Sequence, residues 1–263
     1  MYITNEELGI IIVAGGTSSR FGGTNKLLEY IPTQISLSKP RMSITTPNSP
    51  KPFRKQKIKM PPAYPVFIYS LLNFRASCPD SQIALICHTN LIETFKRLTN
   101  EFIPGNQFIY VTGGAERYNS VINGLNALPE SVKYVAIHDA ARPLANKKLL
   151  YKCLESCKSK GSGIAAKKIN DTVKRTTNNG KVLESIDRTN LWAVETPQIF
   201  KIDELKSAYN MLLQKNASVT DDAGAMEKAG FPVYLVENPD INTKITHQSD
   251  IEYIKTLILN KNA

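Results

Sequence analysis

The sequence predicts an α/β protein, a three-layer and mostly parallel sheet from which a β-hairpin arm projects. Three observations carry this expectation. Short apolar runs alternate with helical patterns along most of the 263 residues, the signature of strands joined by crossover helices. The first run passes directly into a loop of small residues, where open α/β sheets bind ligands. One Asn179-Gly180 turn between two β-prone runs interrupts the alternation, a strong hairpin signal.

Taken in order, residues 10–13 form a continuous apolar run, the pattern of a strand buried on both faces. The loop after it carries Gly15, Gly16, Gly22 and Gly23 together with Arg20 and Lys26. Glycines let a nucleotide approach the backbone, and the two cations can meet phosphate oxygens. Neither the Walker pattern nor the dinucleotide Gly-x-Gly-x-x-Gly is present. On composition alone this is a phosphate site or a glycine-rich turn with two solvated cations.

The formal net charge of +10 resolves once it is located. Residues 30–64 hold Lys39, Arg41, Lys51, Arg54, Lys55, Lys57 and Lys59 and no acid. The same stretch carries seven prolines, from Pro32 to Pro62. Low hydrophobicity with high charge predicts a flexible insertion in a single domain spanning 1–263. Its cations would support salt-sensitive, non-specific nucleic-acid binding, but it lacks a regular series of stacking aromatics, so no specific nucleic-acid partner is expected.

Further strands are predicted at 83–88, 108–111, 134–138, 163–166 and 233–236, and helices at 66–74, 91–102, 119–128, 147–158, 203–213 and 249–259. In the helix at 203–213, Leu205, Ala208, Tyr209 and Leu212 share one face behind a proposed Asp203 cap. Residues 171–188 form the hairpin, read either as a dimerisation arm or as an ordinary surface hairpin. Cys153 and Cys157 stand at helical spacing and no Cys-x-x-Cys pair exists, so neither zinc nor a disulfide is expected. With no run of about 18 apolar residues and no basic leader before the first strand, a cytoplasmic protein without a membrane span is expected.

Four clusters follow predicted strands. Thr112-Gly-Gly-Ala-Glu-Arg-Tyr-Asn-Ser120 offers backbone contact from Gly113 and Gly114, and Ser120 for a base edge. His138-Asp-Ala-Ala-Arg-Pro143 puts a carboxylate at a strand end, suited to Mg²⁺ shared with substrate phosphates, beside Arg142 for a second phosphate. The third runs from Ile186 to Phe200, and the fourth joins Thr220-Asp-Asp222 to Asn242-Thr-Lys-Ile-Thr246.

In this order the clusters resemble the cytidylyltransferases of the non-mevalonate isoprenoid pathway, which join 2-C-methyl-D-erythritol 4-phosphate to CTP. The resemblance runs through Ala14 to Phe21 with Lys26, Gly113 to Val121, His138 to Pro143, Asp171 to Lys174, Asp187 to Trp192, Thr220 to Asp222 and Asn242 to Thr246. It implies a Rossmann-like nucleotidyltransferase sheet. It further implies that Arg20, Lys26 and Lys244 are catalytic cations, and that Ala14, Gly15, Gly16, Gly113, Gly114, Ala115, Ser120 and Ala140 hold the nucleotide. Asp139 would carry Mg²⁺, and Arg142, Thr172, Arg188 and Lys244, with Asp139, would meet the polyol phosphate. The arm would exchange across a homodimer, placing Thr172 and Arg188 in the partner's site. Ribitol 5-phosphate cytidylyltransferases share much of this order and form the alternative reading.

Three positions depart from the family pattern. Gly15 and Ser18 replace other small residues, Glu195 stands where a glutamine is usual, and the insertion follows Lys26 where a short turn is usual.

Overall fold

The computed structural model describes residues 7–16, 21, 25–32, 63–215 and 218–260. In chain order the elements are β1 (Leu8–Ala14), β2 (Tyr30–Pro32), β3 (Ala63–Pro65), α1 (Val66–Ser77), β4 (Gln82–Cys87), α2 (Ile92–Phe102) and β5 (Ile109–Thr112). They continue with α3 (Arg117–Ala127), β6 (Tyr134–Asp139), α4 (Lys147–Lys160), β7 (Ser162–Lys168), β8 (Val173–Thr176), β9 (Val182–Ile186) and β10 (Trp192–Lys201). The last are α5 (Ile202–Gln214), α6 (Asp222–Lys228), β11 (Leu235–Glu237) and α7 (Gln248–Asn260).

Seven strands form the central sheet in the order β11-β7-β10-β6-β1-β4-β5. β1 pairs in parallel with β4 and β6, β4 with β5, and β7 with β11, while β10 runs antiparallel to both of its neighbours. The crossover direction changes at β1, so a crevice opens beyond the carboxyl ends of β1 and β6.

Burial follows the strand period of two. Ile10, Ile12, Leu85 and Ala136 pack with α1, α2, α4 and α7 on one face. Ile11, Ala84, Ile86, Val135 and Ile137 pack with α3, α5 and α6 on the other. The expected three layers are present, and each fully buried aliphatic side chain contributes about 1.5–3 kcal/mol.

Two elements lie outside the sequence expectations, and one expected cap needs correction. The run 192–201 is a ten-residue strand, whereas its Pro197 argues against a central strand. The chain accommodates the proline with an irregularity between Val194 and Gln198, which spares the ladder a missing donor. α6 was not expected as an element; Asp221 caps it by accepting from the Gly224 N–H at 3.0 Å. Asp203 does not cap α5, because the helix starts at Ile202 with Lys201 as its N-cap; Asp203 lies in the first turn, where an acid favours the helix dipole.

The arm is a separate two-stranded sheet of β8 and β9. Gly180 takes φ +84° at its tip, and the Gly180 N–H donates to the Thr177 carbonyl at 3.0 Å. β2 and β3 form a second antiparallel ribbon, with Pro32 opposite Ala63. Residues 33–62 of the basic insertion lie outside the described residues.

Candidate active site

A cavity of about 360 Å³ opens at the carboxyl edge of β1 and β6, lined by Gly15, Gly16, Lys26, Gly114, Ala115, Glu116, Arg117, Ser120, Asp139, Lys244 and others. Lys26 opens a single 3-10 turn, which Asn25 caps by accepting the Leu27 N–H at 3.0 Å. Arg20 lies outside the described residues.

The Gly113-Gly114 turn is tied to the start of α3. The Gly114 N–H donates to Ser120 Oγ at 3.0 Å, and the Ser120 hydroxyl donates to the Glu116 carbonyl at 3.3 Å. A Cβ on Gly114 would collide with Asn119, so this close turn requires glycine. Ala14, Gly113 and Ala140 are absent from the cavity wall. They belong to its frame: the Ala140 N–H donates to the Val13 carbonyl at 3.0 Å and the Gly113 N–H to the Cys87 carbonyl at 2.8 Å.

Asp139 ends β6 and is 8% exposed. Lys244 Nζ lies 2.8 Å from its Oδ2 and Arg142 Nε 3.6 Å from the same oxygen. Burial alone would push this carboxyl up, but Lys244, Arg117 and Arg142 together hold it well below the usual carboxylate range. The Asp139 N–H donates to Thr196 Oγ1 at 3.1 Å. Thr196 also meets Nδ1 of buried His138 at 3.0 Å, and His138 Nε2 meets the Arg142 carbonyl at 3.1 Å. Burial pushes the imidazole pKa down to about 4, so at neutral pH the ring is an uncharged brace between two strands.

Arg142 is not on the cavity wall. Its side chain is 12% exposed, and its Nη1 donates to the Asn242 carbonyl at 2.7 Å. Thr172 is exposed beside the arm, and Arg188 lines a separate hollow of about 290 Å³ with Lys168, Thr189 and Trp192. Within one chain neither residue lines the cavity that Lys26, Asp139 and Lys244 share.

Arg117 is a wall residue to which motif reading gave no role, although it stands inside the Gly113–Ser120 cluster. Its Nη2 lies 2.6 Å from Oδ2 of Asp222, whose side chain is fully buried; Tyr209 donates to the other Asp222 oxygen. Burial would make Arg117 less basic, yet the adjoining Asp222 carboxylate raises its pKa above the ordinary value. Asp221 accepts from Gln198 Nε2 at 2.9 Å, and Gln198 Oε1 accepts the Ala223 N–H at 3.0 Å. The Thr220-Asp-Asp222 motif thus fastens α6 to β10 and holds Arg117 in place.

The four cysteines are buried thiols, with burial pushing Cys87, Cys153 and Cys157 up to about 12. Among the described residues no three His, Cys, Asp or Glu side chains gather as a metal cage.

The sequence profile of the 2-C-methyl-D-erythritol 4-phosphate cytidylyltransferases matches residues 49–260. The chain belongs to this family. Enzymes of that name from Trichormus variabilis and Bacillus velezensis are each 35% identical over 196 residues, covering 74% of this chain and 86% and 83% of theirs. The fold is also similar to that of the Francisella tularensis enzyme of the same name, at 27% identity and a TM-score of 0.68, covering 95% and 99% of the two chains. A synthase from Anaerococcus prevotii, titled 4-diphosphocytidyl-2C-methyl-D-erythritol synthase, shares the fold at 22% identity and a TM-score of 0.72, covering 97% and 99%. Family membership makes the chain a nucleotidyltransferase of isoprenoid biosynthesis, and the ribitol 5-phosphate alternative is not favoured. No helix of the described residues is long and apolar enough to cross a membrane.

Proposed function

We propose that the cavity binds CTP and that the chain transfers CMP from it to 2-C-methyl-D-erythritol 4-phosphate, releasing pyrophosphate. The observation that carries this assignment of the site is the meeting of Lys26, Lys244 and Asp139 with two glycine turns around one cavity at the switch point of the sheet. The nucleophile is a phosphate, already charged at neutral pH, so no general base is needed. Catalysis rests on holding two anions in line and offsetting the charge that gathers on the attacked phosphorus. Lys26 and Lys244 supply fixed cations there, with Arg20 as a third on the family pattern.

Backbone groups of Gly15, Gly16, Gly114 and Ala115 line the route of the nucleotide, and Ser120 stiffens the turn that faces cytosine. Arg142, largely buried beside Asp139, holds that carboxylate and the Asn242 carbonyl in place at the end of the cavity where the polyol phosphate would enter. Asp139 suits Mg²⁺ held by one carboxylate and several phosphate oxygens, since it lines the cavity, is kept charged and, among the described residues, is not part of a three-ligand all-protein cage. When bound, the ion would neutralise part of the triphosphate charge. Thr172 and Arg188 act in the partner's cavity through an arm-exchanged homodimer, which reconciles their place in the motifs with their absence from this chain's cavity wall. The same reading keeps the chain in the cytoplasm with its nucleotide substrate.

Pyrophosphate release from CTP, assayed with methylerythritol phosphate and with ribitol 5-phosphate in parallel, tests the assignment. Turnover with the first alone is expected; equal turnover with both would overturn it.

A further inference from the structure

Glu195 lies where β10 departs from regular pairing, and its carboxylate faces donors alone. Oε2 accepts from Asn238 Nδ2 at 2.8 Å and from Asn242 Nδ2 at 3.0 Å, and Oε1 lies 4.0 Å from Arg142 Nη1. The side chain is 11% exposed, and both asparagines are nearly fully buried. An acceptor-only group suits this position, because a glutamine would turn an N–H donor toward one of the three.

The two asparagines anchor the 238–246 loop. The Asn238 N–H donates to the Ala166 carbonyl at 2.8 Å, Asn242 Nδ2 also donates to the Thr196 carbonyl at 2.9 Å, and the Ile245 N–H donates to the Ala141 carbonyl at 2.9 Å. Lys244 rides on this loop, and its Nζ reaches Asp139. The Asn242 carbonyl in turn accepts Arg142, so Glu195, Arg142 and the loop form a closed circuit around the cation.

We propose that Glu195 is a positioning residue for nucleotidyl transfer: its carboxylate sets the 238–246 loop and so places Lys244 against Asp139. The inference rests on the reading of the site given above. Glu195 itself does not line the cavity, so it acts through Lys244.

A double-mutant cycle separates positioning from general support of the fold. Glu195→Ala should lower kcat about 10-fold in the parent background and less than about 2-fold in Lys244→Ala, where no cation remains to be placed. Glu195→Gln, which keeps the volume and one acceptor, should fall between parent and Glu195→Ala, and it carries the same cycle if the alanine variant fails to fold. Backbone amides of residues 242–246 should exchange about 10-fold faster in either variant while those of β1 and β6 keep the parental rate. Equal losses in both Lys244 backgrounds, parental kcat, or unchanged exchange in the loop would overturn the proposal for Glu195 and leave the site assignment standing. A parent protein that releases no pyrophosphate would overturn the site assignment, and the kinetic role of Glu195 with it; loop exchange would still report whether the carboxylate sets the loop.

Discussion

Two ion pairs of nearly equal length sit in opposite surroundings. Arg117 and Asp222 meet at 2.6 Å beside the cavity, with the Asp222 side chain fully buried. Arg175 and Glu184 meet at 2.5 Å on the arm, with side chains 65% and 55% exposed. Water screens the second pair and competes with each partner, so its net contribution is small. In the first pair the carboxylate is shielded from that competition, although Arg117 is 27% exposed on the cavity wall, and removing one member leaves the other without its partner. Distance alone therefore does not rank the interactions of this protein; surroundings do. The cavity end is a frame of buried polar bonds that fixes a few charges, whereas the arm is an exposed ribbon with Val182 and Leu183 open to solvent, and two strands alone are marginal in water.

The largest effect should come from a cation on the cavity wall. Lys26→Ala is expected to cut turnover by about 10²–10³, with a melting temperature close to the parent's. Near-parental turnover would remove Lys26 from the site. The ion-pair contrast itself is tested by chemical denaturation. Asp222→Ala should cost about 3 kcal/mol, since it leaves Arg117 and the Tyr209 hydroxyl without their acceptor, and Glu184→Ala less than about 1 kcal/mol. Equal costs would erase the distinction.

A third measurement follows the buried imidazole. His138 titrates at about 4 in the folded chain, against 6.5 for an ordinary imidazole, so the unfolded chain takes up its proton first as pH falls. The stabilisation is complete above about pH 6.5 and is lost progressively down to about pH 4, by up to about 3 kcal/mol. His138→Gln should flatten the stability profile across that window; an unaltered slope would assign the acid sensitivity to other groups.

The arm can be tested by complementation. If Arg188 serves the partner's cavity, inactive Lys26→Ala and inactive Arg188→Ala subunits, once exchanged at equal amounts, should recover about a quarter of parental turnover. Half of the dimers are then mixed, and each has one intact composite site. No recovery after verified exchange would confine each cavity to its own chain. The smallest effect is expected at the insertion. Pro32 and Ala63 are paired, so an Asn-Gly link replacing residues 33–62 closes a hairpin and should change stability by less than about 1 kcal/mol. Losing seven cations should lower kcat/KM for CTP at low ionic strength, with convergence on the parent at high ionic strength.

The parallel strands and the six longer helices were legible because their apolar periods are intact, as in Ile10 to Val13 or Leu205 to Leu212. β10 was not, because its buried residues pass through Thr196 and Pro197, and local propensity gives no sign of the β6 and β7 ladders that override it. α6 is seven residues long, too short for a helical period to emerge. At the site, motifs identified Lys26, Asp139 and Lys244, and the cavity unites all three. Sequence reading gave Arg142 to the substrate phosphate, and it could not show the Asn242 carbonyl that Arg142 also meets. It left Glu195 without a role for a related reason: Asn238 and Asn242 are more than forty positions away, and their convergence on one carboxylate exists only in the fold.

The antiparallel course of β10 has a mechanical side. β7 ends, and β10 begins, at the same edge of the sheet that carries the cavity, and the arm is the excursion between them. A tug on the arm therefore runs directly into the backbone of Trp192 to Thr196. The strand that leads in from the arm is the one whose threonine braces Asp139, so the hairpin and the Asp139 end of the cavity are joined through one continuous strand.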